Sequence, residues 1–196
     1  MIERFSPGDI GLAVGLHIRY MPNSFFARLG YGFLYTLYEG MIESDNYIAY
    51  TFVREGKKVG FIMSTLDTGR LFRFIFIRKF LKVLFYSAAG FLRNFRNVYY
   101  FIQTFSYFPK TGLPDVPAEL LFISIEKEHW GGDIGKELIL KTLEEYVKKG
   151  VKKVKVTTEA DNIRVNALLD KLGFSVARSI DFYGKGMYLH TKDLTV

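Results

Sequence analysis

The order of hydrophobic patterns along the chain predicts an α/β (mixed α+β) fold, in which a central mixed sheet of about seven strands is flanked by helices. Alternating segments and longer segments with helical spacing follow one another as β-α-α-β-β-insert-β-α-β-α-β-β. A buried strand, a helix and a second strand occupy residues 119–158, the pattern of a right-handed parallel crossover. A helical insert rich in aromatic residues separates the third strand from the fourth.

The N-terminal half is predicted to hold a strand, two helices and a hairpin. The strand covers residues 2–5. Residues 6–9 (SPGD) supply an N-cap serine, a proline at the first helical position and an acid at the third, so we expect a helix from there to about Tyr20. A second helix is expected over 24–43, where apolar residues recur at near-helical spacing. Two strand-like segments joined by a Glu-Gly-Lys-Lys turn predict a hairpin over 46–66.

The C-terminal half continues with strands and helices in alternation. Residues 119–125 (ELLFISI) are typical of a buried strand, and the helix that follows is expected to end near Gly150. A strand with alternating Lys and Val covers 151–158, and a helix covers 162–172, where a glycine ends it. The last segment, from 175 onwards, is predicted to be a closing hairpin.

The composition limits the chemistry available to the chain. Hydrophobic residues make up 49% and aromatic residues 17% of its 196 residues, which is typical of a globular protein, and we expect a single domain over 1–196. The absence of cysteine excludes disulfides, thiolate metal sites and a cysteine nucleophile. The N-terminus lacks the basic and apolar regions of a secretory signal, so the expected location is cytoplasmic. The three histidines (His17, His129 and His190) show no metal-ligand spacing, and no metal is expected.

A glycine pair precedes the central helix in the segment EKEHWGGDIGKEL, residues 126–138. A glycine-rich turn that leads into a helix lets several N–H groups converge on an anion such as pyrophosphate, and Lys136 in the first turn could add a positive charge. The alternative is an ordinary tight turn, because Asp133 is itself an acid of the kind that helix starts favour. The segment has neither the spacing of a P-loop nor that of a dinucleotide fold.

A second motif at a matching distance favours the anion-binding interpretation. The stretch 119–174 resembles the core of the GNAT superfamily of acetyl-CoA-dependent N-acyltransferases, in which a [RQ]-x-x-G-x-[GA] pyrophosphate loop precedes N-x-x-A-x-x-x-Y-x-x-x-G-F. Here residues 130–135 (WGGDIG) match the loop, and residues 162–174 match the later motif from its Asn to its Gly-Phe. The predicted element order resembles the family over 1–196, with an insert at 70–108. The sequence departs from the motifs at four positions: Trp130 for Arg or Gln, Asp133 for Gly, Val165 for Ala, and Leu169 for Tyr.

The resemblance implies acetyl-CoA as co-substrate and assigns its binding to the fourth strand, the glycine turn and the start of the next helix. The implied coenzyme-binding residues are Ile123, Ser124, Ile125, Gly131, Gly132, Asp133, Ile134, Gly135, Lys136 and Asn162. The strand would bind through backbone groups that also polarise the thioester carbonyl. Asp133 leaves backbone donation intact but opposes a pyrophosphate electrostatically, by about 1 kcal/mol if exposed. For Asn162 the alternative role is an N-cap alone.

The same resemblance implies direct acetyl transfer to a primary amine of an unknown acceptor, such as an amino sugar or another small metabolite. Glu119 stands where several members place the general base, and the alternative is a charge at a strand end. Members with Tyr at the place of Leu169 protonate the departing thiolate with it, which leucine cannot do. Water or another phenol would then have to protonate the thiolate. Tyr183 is the catalytic candidate, and Tyr188 is the alternative phenol. The competing hypothesis is a degenerate GNAT domain that binds acyl-CoA or a membrane surface with little turnover.

The segment 70–108 concentrates the basic charge of the chain. From residue 68 to residue 114 there are eight basic residues and no Asp or Glu, and 70–108 holds fourteen aromatic residues. Its charge-free runs are too short to span a membrane. Three interpretations remain open: packing on the core or in a homodimer, contact with an anionic membrane surface, and a lid over an anionic acceptor. Nucleic-acid binding is not expected, because no recognisable module is present.

Overall fold

The computed structural model of the protein describes residues 1–93, 113, 115–182 and 184–195, which contain seven strands and seven α-helices. The strands are β1 (Ile2–Arg4), β2 (Tyr47–Arg54), β3 (Lys57–Thr65), β4 (Ala118–Ile125), β5 (Lys153–Glu159), β6 (Ser175–Phe182) and β7 (Lys185–Asp193). The helices are α1 (Ile10–Tyr20), α2 (Phe25–Arg28), α3 (Tyr31–Glu43), α4 (Thr68–Arg78), α5 (Phe80–Arg93), α6 (Ile134–Lys148) and α7 (Ile163–Lys171). Short 3-10 helices, Pro7–Asp9 and Lys127–His129, come before α1 and α6.

The seven strands form one sheet in the order β1-β2-β3-β4-β5-β7-β6. Neighbouring strands are antiparallel except for β4 and β5, which are parallel and connected through α6. The predicted α/β fold class is thereby confirmed, as are the parallel crossover and the two hairpins, β2–β3 and β6–β7. The parallel pair in the middle of an antiparallel sheet is the feature that positions the candidate site.

Helices cover both faces of the sheet, and each face has its own apolar core. Side chains alternate along β2, so that Ile48 and Tyr50 belong to one core and Ala49 to the other. The first core packs α6 and α7 on the sheet, with Ile134, Leu138, Ile139, Leu143, Tyr146 and Leu169 as its buried helical residues. The second core packs α1, α3 and α4, through Val14, Leu34, Leu37, Tyr38, Leu71 and Ile75 among others.

The N-terminal helices follow the predicted capping but not the predicted lengths. The backbone N–H and the hydroxyl of Ser6 both donate to the Asp9 carboxylate at 2.9 Å, which confirms the expected helix start. The single helix predicted over 24–43 is wrong. Gly30 adopts a φ of +92°, a left-handed conformation that interrupts the helix and leaves α2 and α3 as separate elements.

The predicted helical insert between the third and fourth strands is confirmed for its described part. Helices α4 and α5 follow β3 directly, and the Asp67 carboxylate caps α4 by accepting from the Arg70 backbone N–H at 2.9 Å. The remainder of the insert, 94–108, lies outside the described residues. Within the described part of the chain, no helix is long and apolar enough to cross a membrane.

Candidate active site

The strands β4 and β5 pair only at their amino ends and then diverge. Their pairing ends where Leu120 lies beside Val156. At the same point the register between β3 and β4 shifts, so that Leu121 is the extra residue of a β-bulge. Among the described strands, residues 122–125 pair with β3 alone, and the edge of β4 that faces β5 is open. A gap bounded by strand backbone therefore lies in the middle of the sheet.

Three residues at the open end of β4 were predicted to bind the coenzyme through their backbone: Ile123, Ser124 and Ile125. The structure shows that their side chains are engaged elsewhere. Ile123 and Ile125 pack against the core under α6 and α7. The Ser124 hydroxyl points to the other face, where it donates to the carbonyl of Leu16 at 3.4 Å. Backbone N–H and C=O groups are therefore what this edge offers to a ligand.

The predicted glycine turn lies between the 3-10 helix after β4 and the start of α6. Gly131 has a φ of +86°, a conformation that a side chain would strain, and both Gly131 and Gly132 are exposed. Asp133 has nearly helical torsions, φ −79° and ψ 0°, and its exposed carboxylate makes no capping hydrogen bond. The first N–H groups of α6 have no acceptor within the helix, and Lys136 is exposed in the same turn. The turn therefore presents backbone donors, a lysine and a carboxylate to solvent.

Ile134 and Gly135 fix the start of α6 against its neighbours, and both are buried. A Cβ at Gly135 would lie 3.4 Å from the Ile125 side chain and 3.6 Å from the Leu168 side chain. The end of β4, the start of α6 and the inner side of α7 thus meet at this glycine. Residues 120–125 and 131–136 are therefore held beside the gap between β4 and β5.

Trp130, which occupies the first position of the loop motif, contacts both the end of β4 and the start of α7. Its indole N–H donates to the carbonyl of Ile125 at 2.7 Å. Its ring lies 5.4 Å from the Tyr20 ring, edge to face, and the Arg164 guanidinium lies 5.4 Å from the ring centroid. Because Arg164 belongs to the first turn of α7, the indole bridges the end of β4 and the start of that helix.

Asn162 is the N-cap of α7. Its side-chain oxygen accepts from the Val165 backbone N–H at 3.3 Å, and the residue is exposed. Its amide nitrogen has no partner within the described part of the chain, so capping and ligand contact can coexist on the two ends of one amide. The N-termini of α6 and α7 both border the gap, and each adds the positive end of a helix dipole.

Comparison with known proteins identifies this arrangement. The model of the acetyltransferase (GNAT) family matches residues 19–174, well over half of the chain. The chain belongs to the GNAT family. The resemblance predicted from the two motifs is therefore confirmed, and members of this family use acetyl-CoA.

Solved GNAT structures share the whole fold at low sequence identity. The ribosomal-protein-S18-alanine N-acetyltransferase from Escherichia coli has a TM-score of 0.64 at 15% identity, over 100% of this chain and 94% of that one. An N-acetyltransferase from Staphylococcus aureus Mu50 gives 0.64 at 13%, over 100% and 98%. The PaiA N-acetyltransferase from Thermoplasma acidophilum, solved with coenzyme A, gives 0.61 at 14%, over 98% of both chains. At these identities the likeness establishes the fold alone. No curated protein sequence matches the chain.

In this GNAT protein Glu119 lies one residue before the divergence of β4 from β5, and it is buried. Its carboxylate accepts from the Thr68 hydroxyl at 2.8 Å and from the Thr157 hydroxyl at 3.4 Å. The Lys155 ammonium, also buried, lies 3.9 Å from it. Because Ala118 and Leu120 belong to the core under α6 and α7, alternation places Glu119 on the opposite face, next to the start of α4.

Leu169 and the two candidate phenols occupy different environments. Leu169, at the position of the family's tyrosine, is 1% exposed and packs in the core under α7. Tyr188 is half-buried on β7 opposite Thr158, with its ring 6.0 Å from that of His190. Tyr183 lies outside the described residues. The structure therefore places one of the two phenols on the sheet near α7.

A buried polar network beside α7 was not found from the sequence. The Thr158 hydroxyl bonds the Asn166 side-chain oxygen at 2.6 Å and His190 Nε2 at 3.1 Å. The Asn166 amide nitrogen donates to the carbonyls of Glu159 and Ala160, at 3.1 and 3.2 Å. Burial lowers the pKa of His190. The network ties α7 to the ends of β5 and β7. The only feature of the sequence that could have indicated this network is the position of Asn166 inside the family motif.

Proposed function

We propose that the protein transfers the acetyl group of acetyl-CoA directly to a primary amine of an amino sugar or another small metabolite, in the cytoplasm. The observation that carries the proposal is the divergence of β4 from β5 after Leu120, directly beside the glycine turn of α6. Two backbone-lined features that suit two successive parts of one long ligand lie next to each other. Acetyl-CoA, with a pyrophosphate in its middle and a thioester at its end, has this shape and supplies an activated acetyl group.

The glycine turn supports the binding of the pyrophosphate. The free N–H groups at the start of α6, the exposed Gly131 and Gly132, and Lys136 provide donors and positive charge. The amide nitrogen of Asn162 adds a donor from the start of α7. The exposed Asp133 carboxylate repels the pyrophosphate and lowers the affinity of this site for it. The binding free energy would therefore come from the backbone donors.

The open edge of β4 supports the binding of the pantetheine arm and of the thioester. Backbone groups of Ile123 and Ile125, which alternate with the Ser124 groups that pair with β3, would bond the amides of the arm as a further strand would, and the carbonyl of Ile125 would be shared with the Trp130 indole. A backbone N–H directed at the thioester carbonyl would stabilise the negative charge that develops on its oxygen. The bulge at Leu121 separates this part of β4 from the part that pairs with β5, which keeps the edge open.

The two faces of the sheet support separate approaches for the two substrates. The glycine turn and α7 lie on one face, and Glu119 lies on the other, at the point where the gap between β4 and β5 begins. An amine that enters from the face of α4 would meet the thioester in the gap. Glu119, as the general base, would accept a proton from the substrate ammonium through a water molecule, because its carboxylate is buried, and the neutral amine would then attack the thioester carbonyl.

The departing thiolate requires a proton that Leu169 cannot supply. Tyr183, the candidate named from the sequence, lies outside the described residues, so its place in the mechanism stays a prediction. Tyr188 shares a face of β7 with His190, and His190 contacts Asn166 of α7. Tyr188 thus faces the side on which the coenzyme would lie, which supports it as the proton donor.

The proposed function is tested by incubation of the protein with acetyl-CoA and a panel of primary amines, with released CoA as the readout. We expect one class of amine to raise CoA release well above the rate with acetyl-CoA alone, and the acetylated amine to appear in equal amount by mass spectrometry. A domain that only binds the coenzyme would give saturable acetyl-CoA binding by calorimetry with no amine above background. Family membership does not favour that second outcome.

A further inference from the structure

The outer face of α5 and the end of α4 expose five large apolar side chains. They share one side of the insert and are not part of any core: Ile77 (73% exposed), Phe80 (58%), Leu81 (77%), Leu84 (55%) and Phe85 (68%). The opposite side of α5 is buried, through Val83 and Ser87, so the helix is fixed to the protein by that side. We call the five exposed side chains the α5 apolar face. Exposure of this many large apolar side chains on one surface marks an interaction site.

The surface next to the α5 apolar face is basic. A shallow depression of about 600 Å³ is lined by Arg70, Arg73 and Arg78 together with Ile77 of the apolar face. Arg70 forms a 3.2 Å ion pair with Asp45, and Asp45 also borders the depression. Arg73 and Arg78 are exposed and have no acidic partner within the described part of the chain. Two unpaired guanidinium groups therefore lie beside apolar side chains.

Two lysines near the junction of α4 and α5 hold these helices on the protein. Lys79 pairs with Glu39 at 2.9 Å and with Glu43, and Lys82 pairs with Glu39 at 2.9 Å. These acids belong to α3, so the lysines fasten α5 to the helix beneath it. The contrast with Arg73 and Arg78 shows that only part of the positive charge of the insert is used for folding.

We propose that the α5 apolar face docks on the surface of an anionic phospholipid bilayer. The apolar side chains would lie at the boundary between headgroups and acyl chains, while Arg73 and Arg78 contact lipid phosphates. An apolar face flanked by unpaired cations is complementary to such a surface in both chemistry and charge. The inference does not depend on the proposed acetyl transfer.

A second copy of the chain fits this face less well than an anionic lipid surface does. In a two-fold interface the same patch lies on both subunits, so the unpaired arginines of one copy would approach those of the other. Residues 68–114 contain no acid, and the two acids that border the depression, Glu43 and Asp45, already pair with Lys79 and Arg70. Charge complementarity therefore favours the lipid surface, and self-association becomes an outcome of the test.

The test is co-sedimentation of the full chain with vesicles of phosphatidylcholine alone and of phosphatidylcholine mixed with phosphatidylglycerol, at physiological ionic strength. We expect binding to the mixed vesicles only, weakened by added salt because part of the attraction is electrostatic. The double variant Leu81→Glu/Phe85→Glu should lose binding. The matched control is Val147→Glu on α6, a side chain 51% exposed on the other side of the sheet, which should bind like the parent.

A second double variant separates charge from apolar contact. Arg73→Gln/Arg78→Gln should bind the mixed vesicles roughly thirtyfold more weakly, since each basic side chain at an anionic surface contributes about fivefold. Circular dichroism and thermal unfolding of each variant check that the fold is kept, which we expect because all four side chains are exposed. Absence of binding to mixed vesicles would overturn the proposal, and so would equal loss of binding in Val147→Glu. A parent dimer in light scattering that Leu81→Glu/Phe85→Glu converts to a monomer would assign the face to self-association instead.

Discussion

Glu119 and Lys155 are direct register partners on the parallel strands β4 and β5, and both are almost fully buried, with 3.9 Å between carboxylate and ammonium. They form the last charged pair before the two strands diverge after Leu120. The pair therefore stands at the entrance to the gap, on the face opposite the glycine turn. A buried pair of this kind can serve the fold, the chemistry or both.

Glu119→Gln should separate these roles when it is combined with Lys155→Met. The single variant leaves the buried ammonium of Lys155 without its counter-charge and should lower the free energy of unfolding by about 3 kcal/mol. Glu119→Gln/Lys155→Met should recover most of that loss in urea unfolding at neutral pH. If Glu119 is the general base, kcat should fall about a hundredfold or more in both variants. Recovery of activity together with stability in the double variant would assign Glu119 to the fold alone.

Asp133→Asn should tighten acetyl-CoA binding, because the exposed carboxylate opposes the pyrophosphate at the start of α6. The expected gain is about fivefold in Kd, equivalent to ~1 kcal/mol, measured by calorimetry at low salt. Asp133→Gly should act in the same direction, since the Asp133 side chain makes no capping hydrogen bond that would be lost. Glu144→Gln, which removes an exposed acid from the same helix far from the turn, should leave Kd unchanged. Weaker binding in both Asp133 variants would count against the glycine turn as the pyrophosphate site.

Tyr188→Phe should lower kcat by about a hundredfold with little change in the KM for acetyl-CoA, if this phenol protonates the departing thiolate. Tyr183→Phe is the comparison, because the sequence names Tyr183 as well. A donor role predicts that the rate loss of Tyr188→Phe shrinks for thioester leaving groups of lower pKa, which need less protonation. An unchanged kcat in Tyr188→Phe with a large loss in Tyr183→Phe would transfer the role to Tyr183.

His17 should make the stability of the protein depend on pH. The ring is fully buried between hydroxyls, with Nδ1 2.8 Å from Tyr38 Oη and Nε2 2.8 Å from Ser24 Oγ, and burial lowers its pKa from 6.5 to about 4. As the pH falls below 6.5 the unfolded chain binds the proton first. The contribution of His17 to stability is therefore complete above pH 6.5 and is lost as the pH falls towards 4.

The measurement is urea unfolding of the parent and of His17→Gln at pH 7 and pH 5. The parent should lose about 2 kcal/mol more than the variant over this interval, given the lowered pKa. His17→Gln should be less stable at pH 7, because its amide replaces a ring that bonds two partners. Parallel pH dependence in both proteins would contradict the assignment.

Much of the fold could be predicted from sequence because local signals and packing agree in most elements. The capping residues Ser6 and Asp9 marked the first helix, and alternating patterns marked both hairpins. The break at Gly30 was missed, because a glycine inside a helical apolar pattern does not reveal whether its φ is positive. The burial of Lys155 could not be predicted either, because it depends on the pairing of Lys155 with Glu119 on the neighbouring parallel strand. The spacing of residues along β5 does not show this pairing.

The candidate site was predictable to the extent that motifs carry it. The glycine turn and Asn162 lie at the starts of α6 and α7, where the sequence places them, and their binding of the coenzyme stays a prediction. The bulge at Leu121 and the divergence of β4 from β5 depend on the register of two different neighbours, and no short pattern in β4 signals them. The role of Trp130 as a bridge from Ile125 to Arg164 likewise depends on contacts between elements that are far apart in the chain.

Amide hydrogen–deuterium exchange with and without saturating acetyl-CoA tests the central claim most directly, because the claim concerns backbone groups. We expect protection on binding at residues 121–125 of β4 and at residues 131–136 of the glycine turn, with the α5 helix unchanged as an internal control. Saturable binding that leaves both of these segments unprotected would show that the coenzyme does not lie between β4 and β5.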